Sequence, residues 1–152
     1  MYDLMRDLRN EDVTVISGFN SPMERECLNI LLRGKCGVVI CCARSLPVRV
    51  PAEFRKPVDE GRLLVFSAFP DGQNHITKAS SAARNRQVAE ISDVLFVPYA
   101  SPGGMAGGIR MDFAQSTKAV FTFDGDFGGS LQTLGAQPIP LSDAAVFLQG
   151  IP

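Results

Sequence analysis

The stretch TKASSAARNRQVAEISDVLFVPYASPGGMAGG, residues 77–108, sets three local preferences in immediate succession. Residues 77–91 read as a helix, with Ala79, Ala82, Ala83 and Val88 available for packing. Asp93 leads into VLFVPY, a hydrophobic strand, and residues 103–108 make a glycine-rich turn. Such a turn after a strand lets backbone N–H groups approach a phosphate unobstructed, and a following helix adds its positive end. Arg84 and Arg86 carry the charge a phosphate also needs. This is the outline of a nucleotide or polynucleotide site rather than of a protease or a metal enzyme.

Working outward, VTVISG (13–18) is a β-branched run ending in glycine and reads as a buried strand. Ser21-Pro22-Met23-Glu24 fits a helix start, with Ser21 as N-cap, Pro22 at the first helical position and Glu24 closing a capping box. Met23, Cys27, Ile30 and Leu31 are expected to form the apolar face, and Gly34 to end the helix. CGVVICC (36–42) is the next strand. Residues 51–60 suggest a short helix, bent or ended near Pro57, before the strand LLVFSAF (63–69). Beyond the glycine turn come a short helix over 109–117, the strand AVFTF (119–123), a small element around Pro138 and a last helix from Ser142.

Strands without in/out alternation, separated by helices, indicate a parallel sheet covered on both faces. The expected fold is α/β, a Rossmann-like three-layer domain with a mainly parallel sheet and helices on both faces, formed by residues 1–152 as a single domain. In such sheets ligands sit beyond the carboxyl ends of the strands.

Composition agrees with a globular domain: 152 residues, 45% hydrophobic and 20% charged. No apolar run reaches the ~18 residues of a membrane span, and MYDLMRDLRNED lacks the apolar centre of a signal peptide, so a cytoplasmic location is expected. Cys27, Cys36, Cys41 and Cys42 contain no CxxC pair and lie far from His75, the one histidine, which argues for buried free thiols over a zinc site or disulfides. A net charge of −1 excludes gripping DNA by bulk electrostatics, so nucleic-acid binding must come from a local patch.

Ile16-Ser17-Gly18, then Arg84-Asn85-Arg86 running into Ile91-Ser92-Asp93, the strand from Val94, the small-residue turn from Ser101 and Leu134-Gly135-Ala136-Gln137-Pro138 follow one another in a characteristic order. That order resembles the DNA-processing protein family DprA (Smf), within the superfamily that also holds the LOG-type nucleotide enzymes, and it covers residues 13–140. The family's Gly-Ser-Arg strand, helical domain and winged-helix domain have no counterpart here, and Phe19-Asn20-Ser21-Pro22 stands where Gly-Ile-Asp is usual. The resemblance implies binding of a nucleotide or of single-stranded DNA, without catalysis and without a cofactor, a part in DNA uptake, and pairing as a homodimer. It implies that Arg84 and Arg86 contact phosphates with Lys78 or Arg44 nearby. Gly18, Gly103 and Gly104 would allow close backbone approach, and Ser17, Asn20 and Ser101 would add polar contacts.

Two other readings use the same turn. LOG-type phosphoribohydrolases carry Pro-Gly-Gly-x-Gly-Thr followed by a catalytic glutamate, whereas this chain has Pro102-Gly103-Gly104-Met105-Ala106-Gly107 and no glutamate after Glu90. Cleavage of an N-glycosidic bond needs a carboxylate, and only Asp112, Asp124 and Asp126 are at hand. A sensor domain for a small nucleotide is the third reading. Phe19, Phe69, Tyr99 and Phe127, at strand ends or in loops, are candidates for base stacking.

Overall fold

The computed structural model describes residues 1–99, 118–125 and 129–140. The chain divides into two compact units, Met1–Val88 and Ala89–Pro152. Every described strand pair is parallel, and helices lie between β1, β2, β3 and β4 and between β5 and β6, the Rossmann-like α/β arrangement expected; the described strands are grouped as two sheets of three.

In the first unit, β1 (Thr14–Ser17), β2 (Gly37–Cys41) and β3 (Leu63–Phe66) form a sheet in the order β1-β2-β3. The register Val15↔Val38 and Val38↔Leu63 puts these three side chains on one face. Val38 and Leu63 are buried there, while Leu64 and Phe66, on the opposite face of the outer strand, are exposed. β3 stops short of the predicted 63–69 because Ser67 turns the chain: its Oγ donates to Arg44 O at 2.7 Å and accepts from Phe69 N at 3.1 Å.

Helix α1 (Tyr2–Leu8) was not foreseen in the charged amino-terminal segment. Its signal is the spacing of Leu4, Met5 and Leu8, which form one buried stripe against α2 (Pro22–Leu32). The capping box of α2 forms as expected. Its buried face is Cys27, Leu28 and Leu31, and Met23 is exposed instead, since the stripe begins one turn later. Gly34 does follow the helix, but with no positive φ. A side chain there is excluded by packing, for a Cβ would lie 1.9 Å from Arg9 O. That same carbonyl accepts from Lys35 N at 2.6 Å and Cys36 N at 2.9 Å, tying the end of α1 to the entry of β2.

Helix α3 (Ala52–Asp59) runs through Pro57 rather than ending there. The hydrogen bond that Pro57 forfeits would have reached Glu53, an exposed residue of the first turn. Helix α4 (Lys78–Ile91) opens with reciprocal bonds between Thr77 and Ser80: Ser80 N donates to Thr77 Oγ1 and Thr77 N to Ser80 Oγ, both at 3.0 Å.

The second unit contains β4 (Leu95–Phe96), β5 (Val120–Phe123), α5 (Gly129–Gln132) and β6 (Gln137–Ile139), with strand order β4-β5-β6. Pro98, which has no N–H, ends the expected strand VLFVPY early. Leu95, Val120, Leu131 and Ala136 form its core, with Ala89 and Val97 packed against them. Phe96 and Phe123 meet edge to face at 4.9 Å. Lys118 Nζ donates to Ala89 O at 2.9 Å, to Glu90 O and to Ser92 O, placing a cation on the negative end of α4. The turn over 103–108, the helix predicted over 109–117 and the helix from Ser142 lie outside the described residues. Among the described residues no helix is long and apolar enough to cross a membrane.

Two outcomes follow from this packing. Gly34→Ala forces a Cβ into backbone, so overpacking of about 1–3 kcal/mol is expected, lowering the melting temperature by about 2–12 °C at this chain length; differential scanning calorimetry measures it. All four cysteines are free and burial pushes each thiol above its ordinary value of 9.0. Folded thiols therefore hold their protons where unfolded ones lose them, so the stability they contribute is complete below that value and lost as pH rises beyond it. Melting temperatures followed into the alkaline range should fall there, and less so in a Cys36→Ala variant.

Candidate nucleic-acid interface

The register Ser17↔Ile40 sets the carboxyl ends of β1 and β2 side by side. Past Ser17 the chain makes a sharp turn. Phe19 is buried with φ 47°, a left-handed conformation that costs a bulky residue on the order of 1–3 kcal/mol. The turn aims two backbone donors at one carboxylate: Asn20 N and Ser21 N reach Glu24 Oε2 at 3.1 and 2.7 Å. Ser17 Oγ donates to Glu24 Oε1 at 3.3 Å. Glu24 thus does more than close the capping box; it holds the whole β1–α2 turn in shape.

Into this turn comes Arg84 from α4. Its side chain is 5% exposed, and its guanidinium lies where a Cβ of residue 18 would be: such an atom would sit 1.1 Å from Nη1. Gly18 therefore does allow a close approach, and what approaches is Arg84. Nη1 donates to Cys41 O at 3.3 Å and Nε to Asn85 Oδ1 at 2.8 Å. With the Asn20 amide oriented to satisfy both groups, Asn20 Oδ1 accepts from Nη1 at 2.8 Å and Nη2 at 3.2 Å. These acceptors are uncharged, and among the described residues no ion pair joins Arg84 to a carboxylate. Burial pulls the guanidinium below its ordinary value, with Glu24 opposing that shift; the group stays charged. The result is a fixed positive charge at the strand ends, where ligands sit in this class of sheet.

The other sequence-predicted residues fall into three groups. Arg44, just after β2, Lys78, the first residue of α4, and Arg86 are exposed. Arg84 and Arg86 face differently, as two positions apart on a helix must. Ser17 and Asn20 are engaged within the turn. Ser101, Gly103 and Gly104, with Asp112, Asp126 and Phe127, lie outside the described residues. Of the stacking candidates, Phe19 is buried, Phe69 half-buried and Tyr99 exposed. Among the described residues no group of three His, Cys, Asp or Glu side chains gathers to hold a metal.

Gly18→Ala should expel the Arg84 guanidinium, breaking its bonds to Cys41 O and Asn20. An overpacked site costs about 1–3 kcal/mol, and the melting temperature should drop accordingly. The double variant Gly18→Ala/Arg84→Ala should be no less stable than Arg84→Ala alone, which a two-mutation cycle checks by denaturant titration.

No protein-family model matches the chain, and no curated protein matches it. Solved structures do match. DNA processing protein A from Helicobacter pylori, a protein described for its single-stranded DNA binding mode, aligns at a TM-score of 0.73 and 20% identity, over 97% of this chain and 71% of that one. DNA processing protein A (DprA) from Streptococcus pneumoniae aligns at 0.67 and 18% identity, over 95% of this chain and 54% of that one, so the chain spans about half its length. At such identities the likeness is one of fold. The fold that the Arg-Asn-Arg block and its neighbours lead one to expect, that of the DNA processing A proteins, is the fold this chain has.

Proposed function

We propose that this chain is a DNA-processing domain that binds single-stranded DNA along the carboxyl ends of β1 and β2. The position of the Arg84 charge carries this reading: a buried guanidinium with only neutral hydrogen-bond acceptors, at the strand ends of a Rossmann-like sheet. A buried charge is screened by salt far less than a surface one, so it offers a phosphate a persistent positive potential. Direct contact falls to the exposed cations Arg44, Lys78 and Arg86. A phosphate-binding role for Ser101, Gly103 and Gly104 rests on the resemblance alone. The single-stranded DNA binding described for the H. pylori protein supports the choice of ligand. A part in DNA uptake and pairing of two copies extend the reading and rest on the resemblance alone.

The test is fluorescence anisotropy with labelled oligo-dT across a salt series. For single strands each phosphate contact contributes about −0.7 to the slope of log K against log salt. Arg44→Ala and Lys78→Ala should each reduce the slope by about 0.7 while leaving the melting temperature unchanged. Binding that ignores salt, or slopes unaltered in both variants, would remove these residues from the interface.

A further inference from the structure

At the amino ends of β2 and β3, the end of the first sheet opposite the Arg84 site, lies an open cleft of about 640 Å³. Its size is within the roughly 300–1,000 Å³ of ligand-binding clefts. Arg33, Lys35, Lys56 and Arg62 line it, and so do Glu53 and Glu60, so four cations meet two carboxylates and two positive charges are left over. We propose that this cleft binds the oligophosphate group of a small molecule, as a second anion site separate from the carboxyl ends of the strands. It stands independently of the single-stranded DNA reading above.

The cations are carried on a pinned backbone. Arg33 N donates to Ile30 O at 3.3 Å and Gly34 N to Leu31 O at 2.9 Å, while Arg9 O accepts from Lys35 N and Cys36 N. Arg62 N donates to Pro57 O at 2.9 Å, and Arg62 O accepts from Val38 N at 2.8 Å. Glu60 N and Gly61 N serve Lys56 O and Val58 O in the same way. Backbone amides thus cap the ends of α2 and α3. Among the described residues, none of the four cationic side chains donates to those carbonyls, so helix capping does not account for them.

The charges are unevenly matched. Glu60 serves two partners: Lys56 Nζ lies 3.8 Å from Oε1, and Arg62 Nε and Nη2 donate to Oε2 at 3.0 and 2.8 Å. Among the described residues no ion pair engages Arg33 or Lys35. Arg62 Nη1 is buried and has no acceptor. A buried donor left unmatched is uncommon and calls for an acceptor of its own. Phosphate oxygens meet an arginine fork at two points, and a phosphate chain concentrates enough charge for several cations in one cleft. The Glu60 pair lies near the surface, where such pairs add little. The Arg62 fork therefore exchanges Glu60 for the ligand, which brings Nη1 into use. Leu32 and Pro57 supply apolar wall for whatever the phosphates are attached to.

Isothermal titration calorimetry in magnesium-free buffer tests this, with tripolyphosphate, ATP and adenosine as probes. Tripolyphosphate and ATP should bind and adenosine should not. Equal affinity for the first two identifies the phosphate chain as sufficient; tighter binding of ATP assigns the apolar wall to the nucleoside. Arg33→Ala/Lys35→Ala should weaken tripolyphosphate binding at least about 10-fold with the melting temperature unchanged, since both side chains are exposed. Glu60→Gln, which removes the competing carboxylate, should tighten it by about 1.5- to 5-fold. Arg25→Ala/Arg49→Ala removes two exposed cations outside the cleft and should change nothing. Absence of tripolyphosphate binding, adenosine binding as tightly as ATP, or full affinity in Arg33→Ala/Lys35→Ala would overturn the site. An equal loss in Arg25→Ala/Arg49→Ala would reduce it to bulk electrostatics and overturn it too. Unchanged or weaker binding in Glu60→Gln would overturn the part given to Arg62.

Discussion

A guanidinium taken out of water has to be given hydrogen bonds, or the desolvation penalty amounts to several kcal/mol. Arg84 meets that demand with Cys41 O at the end of β2, Asn20 in the β1–α2 turn and Asn85 on its own helix. Three segments distant in sequence are thereby held to one point. The local irregularities around it all serve this arrangement. Gly18 has no Cβ because the guanidinium occupies that space. Phe19 adopts a left-handed conformation so that the chain passes the arginine and presents Asn20 to it. Glu24 holds the turn through three donors and places its negative charge where it favours the cation.

Much of the fold was legible because parallel strands write a plain signal. The runs ending at Ser17, Cys41 and Phe123 consist mostly of β-branched or aromatic residues, and Ser21 with Glu24 announces a helix start through two reciprocal hydrogen bonds that need only those two side chains. Boundaries were less legible where a side chain replaced the ladder, as Ser67 does after β3, or where a proline was tolerated within a helix, as Pro57 is in α3. Helix α1 is hard to read from the sequence because charges of both signs surround its three buried apolar residues, Leu4, Met5 and Leu8.

The candidate site was legible in its residue types and not in their orientation. Arg-Asn-Arg states that one arginine faces inward, yet α4 is so evenly polar that periodicity gives no hint which. Burial singles out Arg84 and leaves Arg86 exposed. This divides the electrostatic work in a way charge counting could not foresee. The interior arginine provides a field whose strength is set by packing, and the exposed cations provide contacts that solvent and salt can modulate. Glu24 shows the same limit from the other side, since a capping box explains its presence fully and conceals its bonds to Ser17 and Asn20.

The shared volume of Gly18 and Arg84 also constrains how this sequence can vary. With barely an ångström between a would-be Cβ and the guanidinium, the two positions cannot drift independently. A larger residue at 18 becomes acceptable only after the arginine has shortened or left, while losing the arginine first opens a void beside a glycine that nothing then requires. Substitutions here are thus ordered in time, position 84 before position 18, and the glycine would persist for as long as the buried cation does.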